Sequence, residues 1–147
     1  MQRITHAIAA VTLACGLATT AQASPNVATD SAVFVERHNA DASRRLEPAA
    51  SLSRGDRVVT ILRWYRLGGD GGFTITNPLP RAITYQQSSF ANEQVSVDGG
   101  RTWGRLDDLK VGARDATPED VTHVRWRISP GHSAKGKGQI AYRGIVR

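Results

Sequence analysis

The side chains of this sequence that could do chemistry are few and scattered. Glycoside hydrolysis needs two carboxylates about 5–9 Å apart, and the adjacent pairs Asp107-Asp108 and Glu119-Asp120 are the candidates. Neighbours on an extended chain point apart, and Glu119-Asp120 already has a role at the start of a helical turn. Asp70 and Asp98 could hold calcium together with backbone carbonyls, but no D-x-D-x-D-G loop is present. His38, His123 and His132 show neither H-x-H nor H-E-x-x-H spacing, so a zinc site would need distant loops. Ser88-Ser89 and Ser129 lack a G-x-S-x-G context. No catalytic, metal or cofactor set is assigned, and a non-catalytic chain is expected.

Arginine gives the better binding clue. Arg125 and Arg127 share a face of one strand, and Arg143 and Arg147 share a face of another. If those strands pair, four guanidiniums form a patch suited to sulfate, phosphate or carboxylate groups. Sixteen of the 19 basic residues are arginine, so an ordinary solvated strand face of this chain has the same pattern.

These groups need a scaffold, and the N-terminus says where it works. Met1-Gln2-Arg3 is a short basic start, Ile4 to Thr20 is mostly apolar, and Ala21-Gln22-Ala23 is an A-x-A cleavage site. Residues 1–23 therefore read as a secretory signal peptide cut after Ala23, which predicts a periplasmic or secreted protein. Thr12 stands where a lipid-attachment site before Cys15 would have leucine, so lipoprotein processing is not favoured. No transmembrane segment is expected after cleavage. The mature chain has 124 residues, no cysteine and a formal charge of +5. It must fold on a single hydrophobic core without disulfides. Its charge suits an anionic envelope polymer or a protein partner, and export removes nucleic acid from consideration.

Residues 24–30 are polar and aperiodic and read as a flexible leader, with one domain over 31–147. Ala32 to Glu36 is a short β-rich run, and Pro48 limits Arg44 to Ala50 to an edge or a connection. Arg57 to Leu67 is the longest strand, with Val58, Leu62 and Trp64 on one face and Val59, Ile61, Tyr65 and Leu67 on the other. Phe73 to Asn77, Ala82 to Gln86, Gln94 to Val97, Val121 to Ile128 and Ile140 to Val146 supply further strands. Thr117-Pro118-Glu119-Asp120 starts one short helical turn near 118–121. Asp107 to Ala116 and Ser129 to Gly138 read as irregular. Seven or eight strands with turns every 8–12 residues and no long helical pattern predict an all-β two-sheet sandwich, with an open barrel as the alternative.

Ser96-Val97-Asp98-Gly99-Gly100-Arg101-Thr102-Trp103 resembles the Asp-box of sialidase-type propellers, which leaves a small glycosidase as the less favoured alternative. One copy is too little for a propeller. The residues read instead as a hairpin held by Asp98, turned by Gly99 and Gly100 and covered by Trp103. A wider series carries a second resemblance. Leu52-Ser53-Arg54-Gly55-Asp56-Arg57-Val58, then Phe73 to Pro80, Ile83-Thr84-Tyr85, Ser96 to Gly104, Ala116 to Trp126 and Gly138 to Arg143 follow in order. Together they are similar to the bacterial conserved-repeat module, the domain-of-unknown-function-eleven family of envelope and surface proteins. The resemblance spans residues 31–147 and departs at Arg66 to Gly72. It implies an immunoglobulin-like sandwich serving as a structural or interaction module of the cell envelope. The alternative is a binding module for anionic envelope glycans or lipids through Arg125, Arg127, Arg143 and Arg147.

Overall fold

The computed structural model describes residues 26–147, so the predicted signal peptide and Cys15 lie outside the described residues. Ten strands are described: β1 (Val27–His38), β2 (Arg44–Pro48), β3 (Arg57–Arg66), β4 (Phe73–Pro78), β5 (Ile83–Ser88), β6 (Glu93–Ser96), β7 (Lys110–Val111), β8 (Arg114–Asp115), β9 (His123–Ile128) and β10 (Lys137–Val146). A larger sheet runs β2-β1-β3-β10-β5, a smaller one runs β4-β9-β6, and β7-β8 is a separate ribbon. Every pairing is antiparallel. The result is an all-β two-sheet sandwich, as the alternation predicts.

The two sheets meet where the sequence is most apolar. Val58, Leu62 and Trp64 of β3 and Ile140 and Tyr142 of β10 face Ile75 of β4 and Val124, Trp126 and Ile128 of β9. Trp126 and Ile140 are wholly buried. Each such side chain contributes about 1.5–3 kcal/mol on leaving water. Two of the core aromatics, Trp126 and Tyr142, have hydrogen-bonded polar tips. Trp126 donates its indole N–H to Ser88 Oγ at 2.9 Å, and the Tyr142 hydroxyl accepts from Asn77 Nδ2 at 2.8 Å. Trp64 packs edge-on against Phe73, with centroids 5.2 Å apart.

Three features differ from the sequence reading. The leader expected over 24–30 is already strand from Val27, because Val27 to Asp30 pair with Arg66 to Arg63 of β3. Those residues look structureless in sequence because Thr29 and Asp30 are exposed and only β3 pairs with them, while Val27 packs against the core. Second, the segment from Asp107 to Ala116 contains a 3-10 turn (Leu106–Asp108) and the β7-β8 ribbon. Third, Ser129 caps a one-turn helix, α1 (Pro130–Ser133), by accepting the His132 N–H. Arg66 ties this turn to the β3-β4 loop through Ser133 and the carbonyls of Gly68 and Gly71. The predicted turn at Pro118–Asp120 is present, with the Thr117 N–H donating to Asp120 Oδ2 at 2.8 Å.

Candidate functional site

The Ser96 to Trp103 hairpin uses its own polar groups. Asp98 Oδ1 accepts from the Ser96 hydroxyl at 2.7 Å and from the backbone N–H groups of Arg101 and Thr102 at 3.1 and 2.9 Å. The Thr102 N–H leads the donors that hold the Asp98 carboxyl well below the usual carboxylate range, followed by the Thr102 and Ser96 side chains. Gly99 and Gly100 sit at φ +79° and +89°, where a β-carbon is strained. The Trp103 indole N–H closes the turn onto Gly100 O at 2.9 Å. A carboxylate engaged in this way holds a turn.

The four arginines do not come together. Arg125 and Arg127 lie on β9 of the smaller sheet, whereas Arg143 lies on β10 of the larger one and Arg147 just follows it. The strands β9 and β10 never pair, so the expected four-guanidinium patch is not formed. Alternation fixes which face a strand residue takes, and it does not say which sheet the strand joins. Arg125 packs over Trp103 and donates its Nε–H to Gln94 Oε1 at 2.9 Å. Desolvation, and secondarily Arg127, lowers its pKa.

Arg143 belongs instead to a different basic surface. Residues paired across antiparallel strands point to the same side, so the register places Phe34, Val59 and Arg143 in one row of the larger sheet. The next row holds Ala32, Ile61 and Ala141, and the row beyond it Asp30, Arg63 and Gln139. The core-facing residues of β3 are Val58, Thr60, Leu62 and Trp64, so these rows form the outer face. Period-two alternation adds Glu36 and Arg57, and Arg44 pairs with His38 at the same level. The face therefore has an apolar floor rimmed by Arg44, Arg57, Arg63, Arg143 and Lys137, opposed by Glu36 and Asp30. Val59 is only 5% exposed although it faces away from the core.

Glu36 is the hub of that rim. Its side chain is 4% exposed, and its oxygens lie 3.7 Å from Arg143 Nε, 3.9 Å from Arg44 Nη1 and 3.8 Å from His38 Nε2. Arg57 has no carboxylate partner among the described residues. Glu36, Arg44, Arg57 and Arg143 line a cleft of about 170 Å³ together with Gln86 and Gln87.

A second cleft, of about 590 Å³, opens between the edge strands β5 and β6. Gln86, Asn92, Glu93, Gln94, Arg105, Asp107 and Arg127 line it. Two carboxylates, Glu93 and Asp107, thus share one cleft; Asp107 belongs to an adjacent pair singled out in the sequence and Glu93 does not. Glu93 accepts the Tyr85 hydroxyl at 3.3 Å. Burial, and then Glu93, pushes the Tyr85 pKa up, so this phenol keeps its proton. Glu93 and Asp107 are separated by the whole hairpin in sequence, and only the folding of that hairpin against β9 brings them to one opening.

Asp120, His123 and His132 are engaged within the fold. Asp120 is held by Arg114 Nη1 and Nη2 at 2.6 and 2.7 Å, and Arg114 leads the groups that lower its pKa. His123 meets Thr122 and the edge of Trp103, and His132 meets Ser129 and Phe90. Among the described residues no group of three or more histidine, cysteine or acidic side chains gathers as for a metal ion. No described helix is long and apolar enough to cross a membrane. Comparison with protein-family models, with curated proteins and with solved structures returned no match.

Proposed function

We propose that this chain is an exported, non-catalytic interaction module of the bacterial cell envelope, of the conserved-repeat kind, which binds an anionic envelope polymer. The signal-peptide pattern of residues 1–23, with an A-x-A sequence before Ser24, supports export to the periplasm or beyond. The observation that carries the binding reading is the outer face of the larger sheet, where five basic side chains rim an apolar floor of Phe34, Val59 and Ile61. Outward positions of a solvated sheet are ordinarily polar throughout. An apolar floor with a basic rim fits a polymer that brings both anionic groups and apolar surface, through charge-assisted hydrogen bonds from guanidiniums.

Retention on a heparin matrix tests this reading. The wild-type chain is expected to bind at low salt and to elute earlier as salt screens the contacts. Arg57→Ala with Arg143→Ala should elute far earlier than Arg81→Ala with Arg101→Ala, which removes the same charge elsewhere. No retention at low salt, or equal loss in both double variants, overturns the reading.

A further inference from the structure

The two clefts share a wall at Gln86. Gln86 lines both the small basic cleft on the outer face and the larger cleft between β5 and β6. It does so because of a bulge. Arg143 pairs with Gln87 and Gly144 with Tyr85, so Gln86 is the extra residue on β5 with no partner across the ladder. A bulge on an edge strand re-aims side chains and ends regular pairing. Gly144 makes the bulge possible, since a β-carbon there would lie 2.4 Å from Ile83 Cγ2 and 2.9 Å from Thr84 O.

The linings at the two ends differ in kind. On the outer face Arg57 and Arg143 present excess positive charge around the buried Glu36. Beyond Gln86 the charges balance, with Glu93 and Asp107 against Arg105 and Arg127. Arg105, Arg127 and Asp107 make no ion pair or side-chain hydrogen bond among the described residues, although they line one opening. Asn92 holds a left-handed φ of +64° at the rim, a conformation that asparagine tolerates better than most residues. Closely set donors and acceptors with no net charge suit the vicinal hydroxyls of sugar rings. The volume lies within the range of about 300–1,000 Å³ usual for small-ligand sites.

We infer that the anionic polymer is an acidic polysaccharide, which lays its charged groups on Arg57 and Arg143 and crosses the β5 edge at Gln86 into the Glu93–Asp107 cleft. This inference rests on the proposed binding role of the outer face and chooses a glycan over a lipid headgroup. A lipid would use the basic face alone, because a bilayer surface cannot enter a cleft between two sheet edges.

The test is calorimetric titration with a heparin-derived hexasaccharide, run beside co-sedimentation with phosphatidylglycerol vesicles. Arg105→Ala with Arg127→Ala is expected to weaken hexasaccharide binding by about tenfold, equivalent to the loss of one good polar contact. Gln86→Ala should weaken it by a smaller factor. All these positions are exposed, and equal unfolding midpoints would show that the variants fold. Unchanged hexasaccharide affinity in the Arg105/Arg127 variant, with loss in the Arg57/Arg143 variant, overturns the inference and leaves the outer-face reading standing. Binding to vesicles without binding to the hexasaccharide also overturns it. Binding to neither probe overturns both.

Discussion

The guanidinium of Arg125 lies over the indole of Trp103, with its central carbon 4.4 Å from the ring centroid. Through this contact the hairpin that follows β6 is fastened to the outer side of the smaller sheet. Trp103 also meets His123, two residues before Arg125 on the same strand, with ring centroids 6.3 Å apart. The tryptophan thus lies over two successive outward positions of β9. Arg125 is a fold contact, and the arginines of the proposed binding face lie on the larger sheet.

A double-mutant cycle on Trp103→Ala and Arg125→Ala should report this contact. The expected coupling is about 0.5–2 kcal/mol, the range from an exposed to a desolvated cation–π pair, since both side chains are half-buried. Chemical denaturation of the four proteins measures it. Strictly additive losses would show that the stacking contributes nothing.

Asp98→Asn should destabilise the fold at neutral pH, because the asparagine side chain offers one acceptor oxygen where the carboxylate offers two. The Asp98 pKa is lowered in the folded state, so its contribution is fully present above the unfolded carboxylate value of about 4. It fades as pH falls through the folded-state value. The gap between wild type and Asp98→Asn in thermal midpoint should therefore be widest near neutrality and narrow in acid. A gap that is constant with pH would contradict the role given to the carboxylate.

Gly138→Ala should be costly although it adds one methyl group. A β-carbon at Gly138 would lie 2.5–2.8 Å from three atoms of the Trp64 ring. Overpacking of this kind costs about 1–3 kcal/mol. Denaturant titration should show that loss, with a matching change in Trp64 fluorescence. Gly131→Ala, with open space around its β-carbon, serves as the control.

Glu36→Gln separates folding from binding at the basic rim. Removal of the carboxylate leaves Arg44 and Arg143 without their shared counter-charge, so stability should fall. The same change raises the local positive charge by one, and affinity for a heparin-derived oligosaccharide should rise. If both stability and affinity fall together, the rim is an internal ion network and not a binding surface.

Much of the fold is legible in the residues. The alternation of β3, β4, β9 and β10 shows in sequence because the sandwich buries one side of each of them. Val59 and Ile61 already indicate that β3 is covered in part on its second face, as a central strand should be. The start of β1 is hidden because Thr29, Asp30 and Ser31 are solvated on both sides, and their strand state depends on pairing with β3. The site is less legible. Which sheet receives an arginine-bearing strand is a matter of topology, so Arg143 could be placed on a face but not beside Glu36. The adjacent glutamines Gln86 and Gln87 carry the only local trace of the bulge, and nothing in their spacing distinguishes them from ordinary edge residues.

The central claim is that the outer face of the larger sheet binds an anionic polymer, and amide chemical-shift mapping with a heparin-derived hexasaccharide tests it most directly. The predicted result is salt-sensitive shifts centred on Phe34, Val59, Arg57 and Arg143. Shifts confined to Arg125 and the Asp98 hairpin on the smaller sheet would contradict it.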